Sequence, residues 1–374
     1  MKKHIVLISN EIAKDKGGIQ NMCYSLANYF SEEFEETIIC SSDSDVKQIK
    51  KADIIKSKYS SKEISKFKRD IIHTLFILHH RKKIDFVISA LYNICSCAYL
   101  LKKMYGVPYG IMAHGNEVYG DVGSNKLKIP ILNFYRYKIL KNANIIFANS
   151  IYTKNLVLKI TKTNIVVISP PVEIKENDKS IIVNNNQSYE LFSIARHVKR
   201  KGFQLVIESL PKLIDKYPKI HYNIAGSGEF TNELIDLVSR LKLNDRVTFL
   251  GRLTEEEKRI YFEKCSLFIM PSFSIEKENS IEGFGIVYIE ANSYGKFVIG
   301  SKSGGIPDAI VDGVTGFLAE ENDIDSVVEC IDNFFNPNFE YDPIKCTLWA
   351  KKHSVDNIGK LYQHEILKIV DSVN

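Results

Sequence analysis

The sequence predicts an α/β protein built from two doubly wound domains, and three observations carry that reading. Short apolar runs about one strand long alternate with longer amphipathic runs, the pattern of parallel sheet with helices on both faces. The alternation stops once, at Pro170-Pro171 and the polar, Asn-rich stretch that follows (Asn184, Asn185, Asn186), and then restarts. The chain of 374 residues is also longer than one small core organises.

In order along the first half, the strand-like runs are His4–Ser9, Thr37–Cys40, Phe86–Ser89, Tyr109–Ala113, Ile145–Ala148 and Val166–Ser169. Helical spacing of apolar residues falls between them at Gln20–Ser31, Glu63–His80, Ile94–Tyr105, Leu127–Lys141 and Tyr152–Ile160. In the second half the strands are Glu190–Ile194, Ile220–Ala225, Val247–Leu250, Leu267–Met270 and Phe297–Gly300. The helices there are Phe203–Lys216, Glu229–Leu241, Glu255–Lys264 and Gly285–Tyr294. A short helix from Pro307 and a turn into a last strand precede a helical C-terminal region. The expected domains are 1–170, a linker 171–189, a second domain 190–352, and a C-terminal helix 353–374 that crosses back to brace the first. In doubly wound sheets ligands bind at the carboxyl ends of the strands, so a cleft between the halves is the expected site.

Composition excludes several classes. At 45% hydrophobic and 25% charged the chain is neither disordered nor fibrous. Seven cysteines, scattered through apolar stretches, point to reduced thiols rather than a disulfide framework, and Cys95-Ser-Cys97 lacks the second pair that a metal site needs. The apolar run at the N-terminus is too short for a signal peptide, and no stretch reaches about 18 apolar residues. The expected location is therefore the cytoplasm. The net charge of +5 is uneven, with twelve Lys or Arg from Lys47 to Lys83 against Asp53, Glu63 and Asp70. A second basic group, Lys126, Lys128, Arg136, Lys138 and Lys141, is interleaved with aromatic and aliphatic residues. Solvated helix faces are one reading. The other is peripheral contact with anionic lipid on the inner face of the plasma membrane, each near-surface cation contributing about 1 kcal/mol. Nucleic acid is not expected, since no recognised binding motif accompanies the charge.

Four stretches carry chemistry. Gly17-Gly18 precedes a helix, where backbone amides and the helix dipole suit an anion, although such a pair is often only a turn. Arg196 to Lys201 follows the first strand of the second domain, and a guanidinium with an ammonium at a strand end suits a diphosphate. Each such charge-assisted bond contributes about 1.5–3 kcal/mol. Glu282, Gly283, Phe284, Gly285 and Ile286 lie at a helix start, with Glu290 further along the helix. Two acids near a helix start otherwise read as capping and solvation. Last, 300–318 is Gly-rich and offers another helix start.

Together these stretches resemble the retaining glycosyltransferases of family 4, group-1-type enzymes of surface polysaccharide assembly with the GT-B fold. Glu282 and Glu290 match the family's Glu-x7-Glu signature. SGGIPDAIVDGVTGFL (303–318) follows it, and ARHVKRKGF (195–203), NIAGSGE (223–229) and RVTFLGRL (246–253) precede it. GGI (17–19), AHGNE (113–117) and ANSIYTKNLV (148–157) fit the first half. The resemblance implies that Arg196 and Lys201 hold the donor diphosphate. Glu282, with the amides of Phe284 to Ile286, would hold the sugar, and Glu290 the ribose. Gly17 and Gly18 would back the phosphates, His114 would lie beside the donor sugar, and Arg252 near the base. Ala195 and Asp308 depart modestly from the family pattern, and an extended loop, Ser272–Ile281, precedes Glu282.

The implied reaction is metal-independent transfer of a hexosyl unit, with retention, from a nucleotide diphosphate sugar to a glycan or polyprenyl-diphosphate-linked acceptor. The extended loop favours GDP-mannose slightly over a UDP-sugar. No cofactor beyond the nucleotide sugar is implied. Asn116, Glu117 and Tyr119 are weak acceptor candidates, with Tyr92 and Asn93 beside them. A nucleotide-sugar epimerase and a non-catalytic nucleotide-sugar-binding subunit are the alternatives.

Overall fold

The computed structural model describes residues 2–14, 17–49, 51–115, 129–174, 189–275 and 280–373, with backbone alone at 129–132. The chain divides into two compact units, Met1–Glu173 with His353–Asn374, and Ile174–Lys352.

In the first unit the described residues form a parallel sheet of seven strands: β1 His4–Ser9, β2 Glu35–Cys40, β3 Asp53–Lys56, β4 Phe86–Ser89, β5 Tyr109–Ala113, β6 Ile145–Ala148 and β7 Ile165–Val167. Their spatial order is β3-β2-β1-β4-β5-β6-β7. Alternate side chains of each strand serve opposite faces. Ile5, Leu7, Ile38, Ile88 and Phe147 pack with helices Gly18–Glu33 and Val355–Val373, while Val6, Ile8, Ile39, Val87 and Ile146 pack with the four helices between β3 and β7. The near-continuous apolar strands are the signature of a sheet covered on both sides.

β3 is absent from the sequence prediction, which reads 47–83 as a basic run. Its only apolar residues are Ile54 and Ile55, and it lies at the sheet edge with three of its four residues exposed. An edge strand needs no apolar alternation of its own. β2 begins two residues before the predicted start, because Glu36 is buried in spite of its charge. Helix Ile64–Arg81 and its successors otherwise lie within a few residues of their predicted limits.

In the second unit the strands are β8 Glu190–Ile194, β9 His221–Ala225, β10 Val247–Gly251, β11 Leu267–Ile269, β12 Val298–Ser301 and β13 Gly316–Ala319, ordered β10-β9-β8-β11-β12-β13. All pairings are parallel. Helices Phe203–Leu213, Thr231–Arg240 and Ile324–Phe335 cover one face through Val206, Leu210, Leu234 and Ile331. The C-terminal region breaks into three helices, Ile324–Phe335, Pro343–Lys352 and Val355–Val373. The last belongs to the first unit.

Candidate active site

β8 and β11 are neighbours, but the chain runs outward from them in opposite directions, to β9 and β10 on one side and to β12 and β13 on the other. Loops leaving the carboxyl ends of two such strands diverge, and a crevice opens between them. The loop 195–202 leaves β8 and the loop 270–285 leaves β11.

Backbone contacts pin these loops together. Gly202 adopts φ +78°, and a Cβ there would lie 2.1 Å from the Pro271 carbonyl oxygen. Only glycine combines that conformation with that approach. The Phe273 amide donates to the Arg200 carbonyl at 2.8 Å. A third loop, after β12, meets the second where the Gly305 amide donates to the Glu282 carbonyl at 2.9 Å.

The result is a compact charged cluster. Arg200 Nη1 donates to Glu282 Oε2 at 2.8 Å, and Lys201 Nζ donates to the same oxygen at 2.5 Å. All three side chains are only about 15% exposed. Burial alone would push the Glu282 carboxyl up. The combined attraction of Lys201 and Arg200 and their hydrogen bonds outweigh it and hold the group down at about 2. Lys201 is pulled the other way, since burial, Arg200 and Arg196 together lower it against the attraction of Glu282. One carboxylate thus faces two buried cations, and the exposed Arg196 adds a further charge nearby. A site with that surplus is built for an anion.

The other predicted donor residues lie close in sequence or on adjacent loops. Gly285 adopts φ +93° at the start of helix Ile286–Ser293, which has no side-chain cap, and Phe284 is buried beneath it. Glu290 lies on this helix and accepts from Lys258 Nζ at 3.1 Å. Burial lowers Lys258, but Glu290 and Glu255 outweigh it and raise the ammonium above its ordinary value. Arg252 follows β10 and is exposed, its Nε donating to Ser227 Oγ at 3.3 Å. Arg200 and Lys258 are therefore the partners of the two signature acids, and neither figured among the predicted site residues. Arg200 stood in the quoted basic run, whereas nothing in the local sequence of helix Glu255–Lys264 singled out Lys258.

In the first unit Gly17 precedes helix Gly18–Glu33, whose start again carries no side-chain cap. His114 follows β5, and its Nε2 donates to the Ala90 carbonyl at 2.8 Å. Tyr92 and Asn93 form a single 3₁₀ turn after β4. Asn116, Glu117 and Tyr119 lie outside the described residues, as do Lys126 and Lys128. A cavity of about 490 Å³ beside helix Gly18–Glu33, lined by Lys14, Tyr24, Asn28 and Gln48 among others, contains none of the predicted residues.

The sequence holds two Asp-x-Asp pairs of the kind that can ligate a metal, Asp43-Ser-Asp45 and Asp323-Ile-Asp325, and their first members have local partners. Asp43 accepts from Ser61 N and Oγ at 2.8 and 2.7 Å. Asp323 caps helix Ile324–Phe335 by accepting from Asp325 N and Ser326 N. Burial pushes the Cys95 thiol well up and the Cys97 thiol to about 11. Among the described residues no three His, Cys, Asp or Glu side chains gather as metal ligands, and no helix is long and apolar enough to cross a membrane.

Comparison with known proteins agrees with the two-sheet fold. The family described as "Glycosyl transferases group 1" matches residues 174–343, and "Glycosyltransferase Family 4" matches residues 16–176. A GDP-mannose-dependent α-(1-6)-phosphatidylinositol monomannoside mannosyltransferase of Mycolicibacterium smegmatis is 31% identical over 37% of this chain and 36% of its own. An uncharacterized glycosyltransferase of Methanocaldococcus jannaschii is 27% identical over 78% of this chain and 82% of its own. The match thus spans about a third of the mannosyltransferase but most of the archaeal protein. Among solved structures, Anabaena HepE in complex with UDP and glucose superposes with a TM-score of 0.73 at 16% identity, covering 98% of this chain and all of the other. The two family matches abut near residue 175, each laid on one of two Rossmann-like sheets, and the chain accordingly belongs to the group 1, family 4 glycosyltransferases of GT-B fold.

Proposed function

We propose that this chain transfers a hexosyl unit from a nucleotide diphosphate sugar to a glycan or lipid-linked acceptor in cell-surface polysaccharide assembly, with retention at the anomeric carbon and without a metal. The observation that carries the proposal is the surplus of buried positive charge at the β8/β11 crevice, where Arg200 and Lys201 share Glu282 Oε2. A diphosphate entering the crevice gives the second cation a partner, and Glu282 is then released toward sugar hydroxyls. As the bond from the anomeric carbon to the donor's phosphate oxygen breaks, its electron pair leaves on the diphosphate. The acceptor hydroxyl oxygen forms the new bond and passes its proton to the departing diphosphate oxygen. Lys201, with Arg196 beside it, stabilises the charge that grows on the leaving group. Glu290 holds the ribose hydroxyls once it exchanges Lys258 for them. His114 stands beside the donor sugar.

GDP-mannose is the first donor to test, because the mannosyltransferase relative uses it and the loop Ser272–Ile281 is extended. The HepE structure holds UDP, so UDP-sugars form the second arm. The measurement is a thermal-shift screen of GDP, UDP and their sugars, followed by turnover with the donor that binds. A donor at a hundred times its Kd adds about 2.7 kcal/mol of stability. Lys201→Ala should remove most of that shift and most turnover, and Glu282→Gln should lower turnover by at least about a hundredfold, the scale of one lost transition-state contact. Unchanged turnover in both variants sinks the assignment. Free sugar epimerised without transfer to any acceptor would point to an epimerase.

A further inference from the structure

Two cations pull on the Glu282 side chain, yet neither fixes the backbone that carries it. Arg200 and Lys201 both belong to the loop after β8, so their attraction draws the carboxylate toward that side of β11. The backbone is held from the other side, by the loop after β12. The Glu282 carbonyl accepts from the Gly305 amide at 2.9 Å. Gly304, at φ +54°, approaches so closely that a Cβ there would lie 2.4 Å from the same oxygen. That loop can place Glu282 only if it is itself held in place.

Glu321, just after β13, holds it. Ser303 Oγ donates to Glu321 Oε1 at 2.6 Å, and the Ser274 amide donates to the same oxygen. The two serine hydroxyls lie 2.9 Å apart. Ser274 stands at the entry of the extended loop, which an antiparallel bridge between Ile275 and Ser280 closes before the chain reaches Glu282. One carboxylate oxygen thus ties the loop that leads into Glu282 to the loop that backs it. Bonds to a carboxylate are also stronger and shorter than bonds to a neutral oxygen. The turn that presents Glu321 is fixed in turn. Asn322 takes the left-handed conformation at φ +56°, which asparagine tolerates better than most residues. The Glu320 amide donates to Ser326 Oγ at 2.9 Å. Glu320 itself pairs with Lys302 in an exposed ion pair, whereas Glu321 spends its carboxylate on donors from two loops.

We propose that Glu321 is a positioning residue for the donor sugar: through Ser274 and Ser303 it fixes the loops that aim Glu282, and it touches no substrate. The inference rests on the reading of Glu282 as the residue that holds the sugar hydroxyls. It predicts a split that general loosening of the fold would not give, because the diphosphate meets the loop after β8 while the sugar meets Glu282.

Calorimetric titration of the full chain tests the split by comparing a bare nucleoside diphosphate with its sugar conjugate, GDP with GDP-mannose and UDP with UDP-glucose. In Glu321→Ala the Kd of the conjugate should rise about tenfold, the scale of one lost hydrogen bond, while that of the bare diphosphate holds. Glu321→Gln keeps the Oε1 acceptor and should recover most of the loss. Ser303→Ala should show the same selectivity, and the variant combining it with Glu321→Ala should be no worse than Glu321→Ala alone, since both remove one link. Glu321 is exposed, so melting temperatures should change little. Equal losses for diphosphate and conjugate overturn the proposal, as do losses that add in the combined variant. If wild type and Glu321→Ala bind both ligands equally well, this inference falls and the donor site stands. A wild type that binds neither refutes the donor site, and this inference with it.

Discussion

Glu282 owes its ionisation to two cations that cost free energy to bury. Its folded value of about 2 lies below the ordinary carboxyl value of 4.5. The pair therefore adds stability above the unfolded value, and that contribution fades as pH falls from about 4.5 toward 2. In Glu282→Gln the two buried cations lose their only carboxylate partner among the described side-chain contacts, and breaking such a pair costs about 3–5 kcal/mol. Chemical denaturation of wild type and variant at neutral pH and near pH 3 should show that gap narrowing in acid. A gap independent of pH would contradict the ion-pair account. Glu36 behaves in the opposite sense. It is 2% exposed, neither carboxylate oxygen has a hydrogen-bond partner, and burial pushes its carboxyl well above the usual range. A raised value means that the stability of the protonated fold is present below the unfolded value and is lost as pH rises through the folded one. Glu36→Gln should accordingly melt higher than wild type at neutral pH, with little difference near pH 4.

Elements differed in how plainly the sequence announced them. The central strands β1, β4, β5, β6, β8 and β9 are apolar runs because both of their faces are covered, and they were legible within a residue or two. At the start of helix Ile324–Phe335, Asp323 stands before an apolar-periodic run and caps it. β3 was not legible, since an edge strand between lysines has no pattern to read. The Arg200–Glu282 contact was equally hidden, because it depends on the adjacency of β8 and β11, which are 73 positions apart at their nearest ends and related only by topology. Helix Val355–Val373 shows what close packing demands of an element. A Cβ on Gly359 would lie 2.5 Å from the Tyr29 ring, and Tyr29 Oη donates to Gln363 Oε1 at 2.8 Å. Gly359→Leu should force this helix off helix Gly18–Glu33 and cost about 1–3 kcal/mol. Thermal melting combined with limited proteolysis would detect it. A variant as stable and protease-resistant as wild type would show that the two helices are not in contact.

At the scale of the whole molecule, each unit is a complete parallel sheet with its own cores, but the two are not equivalent as pieces of chain. The second is continuous from Ile174 to Lys352, whereas the first is assembled from Met1–Glu173 and His353–Asn374. Its core is shared between them: Ile358, Tyr362, Ile366 and Val370 pack with Phe30, Phe34 and Phe147. A ribosome delivers these segments in sequence, at about 5–20 residues per second. The intervening unit therefore takes on the order of ten to forty seconds to emerge, and for that interval the earlier sheet waits with Phe30 and Phe147 uncovered by their last helix. The unit made first is the unit finished last, and during synthesis its exposed aromatic face is where a chaperone would bind.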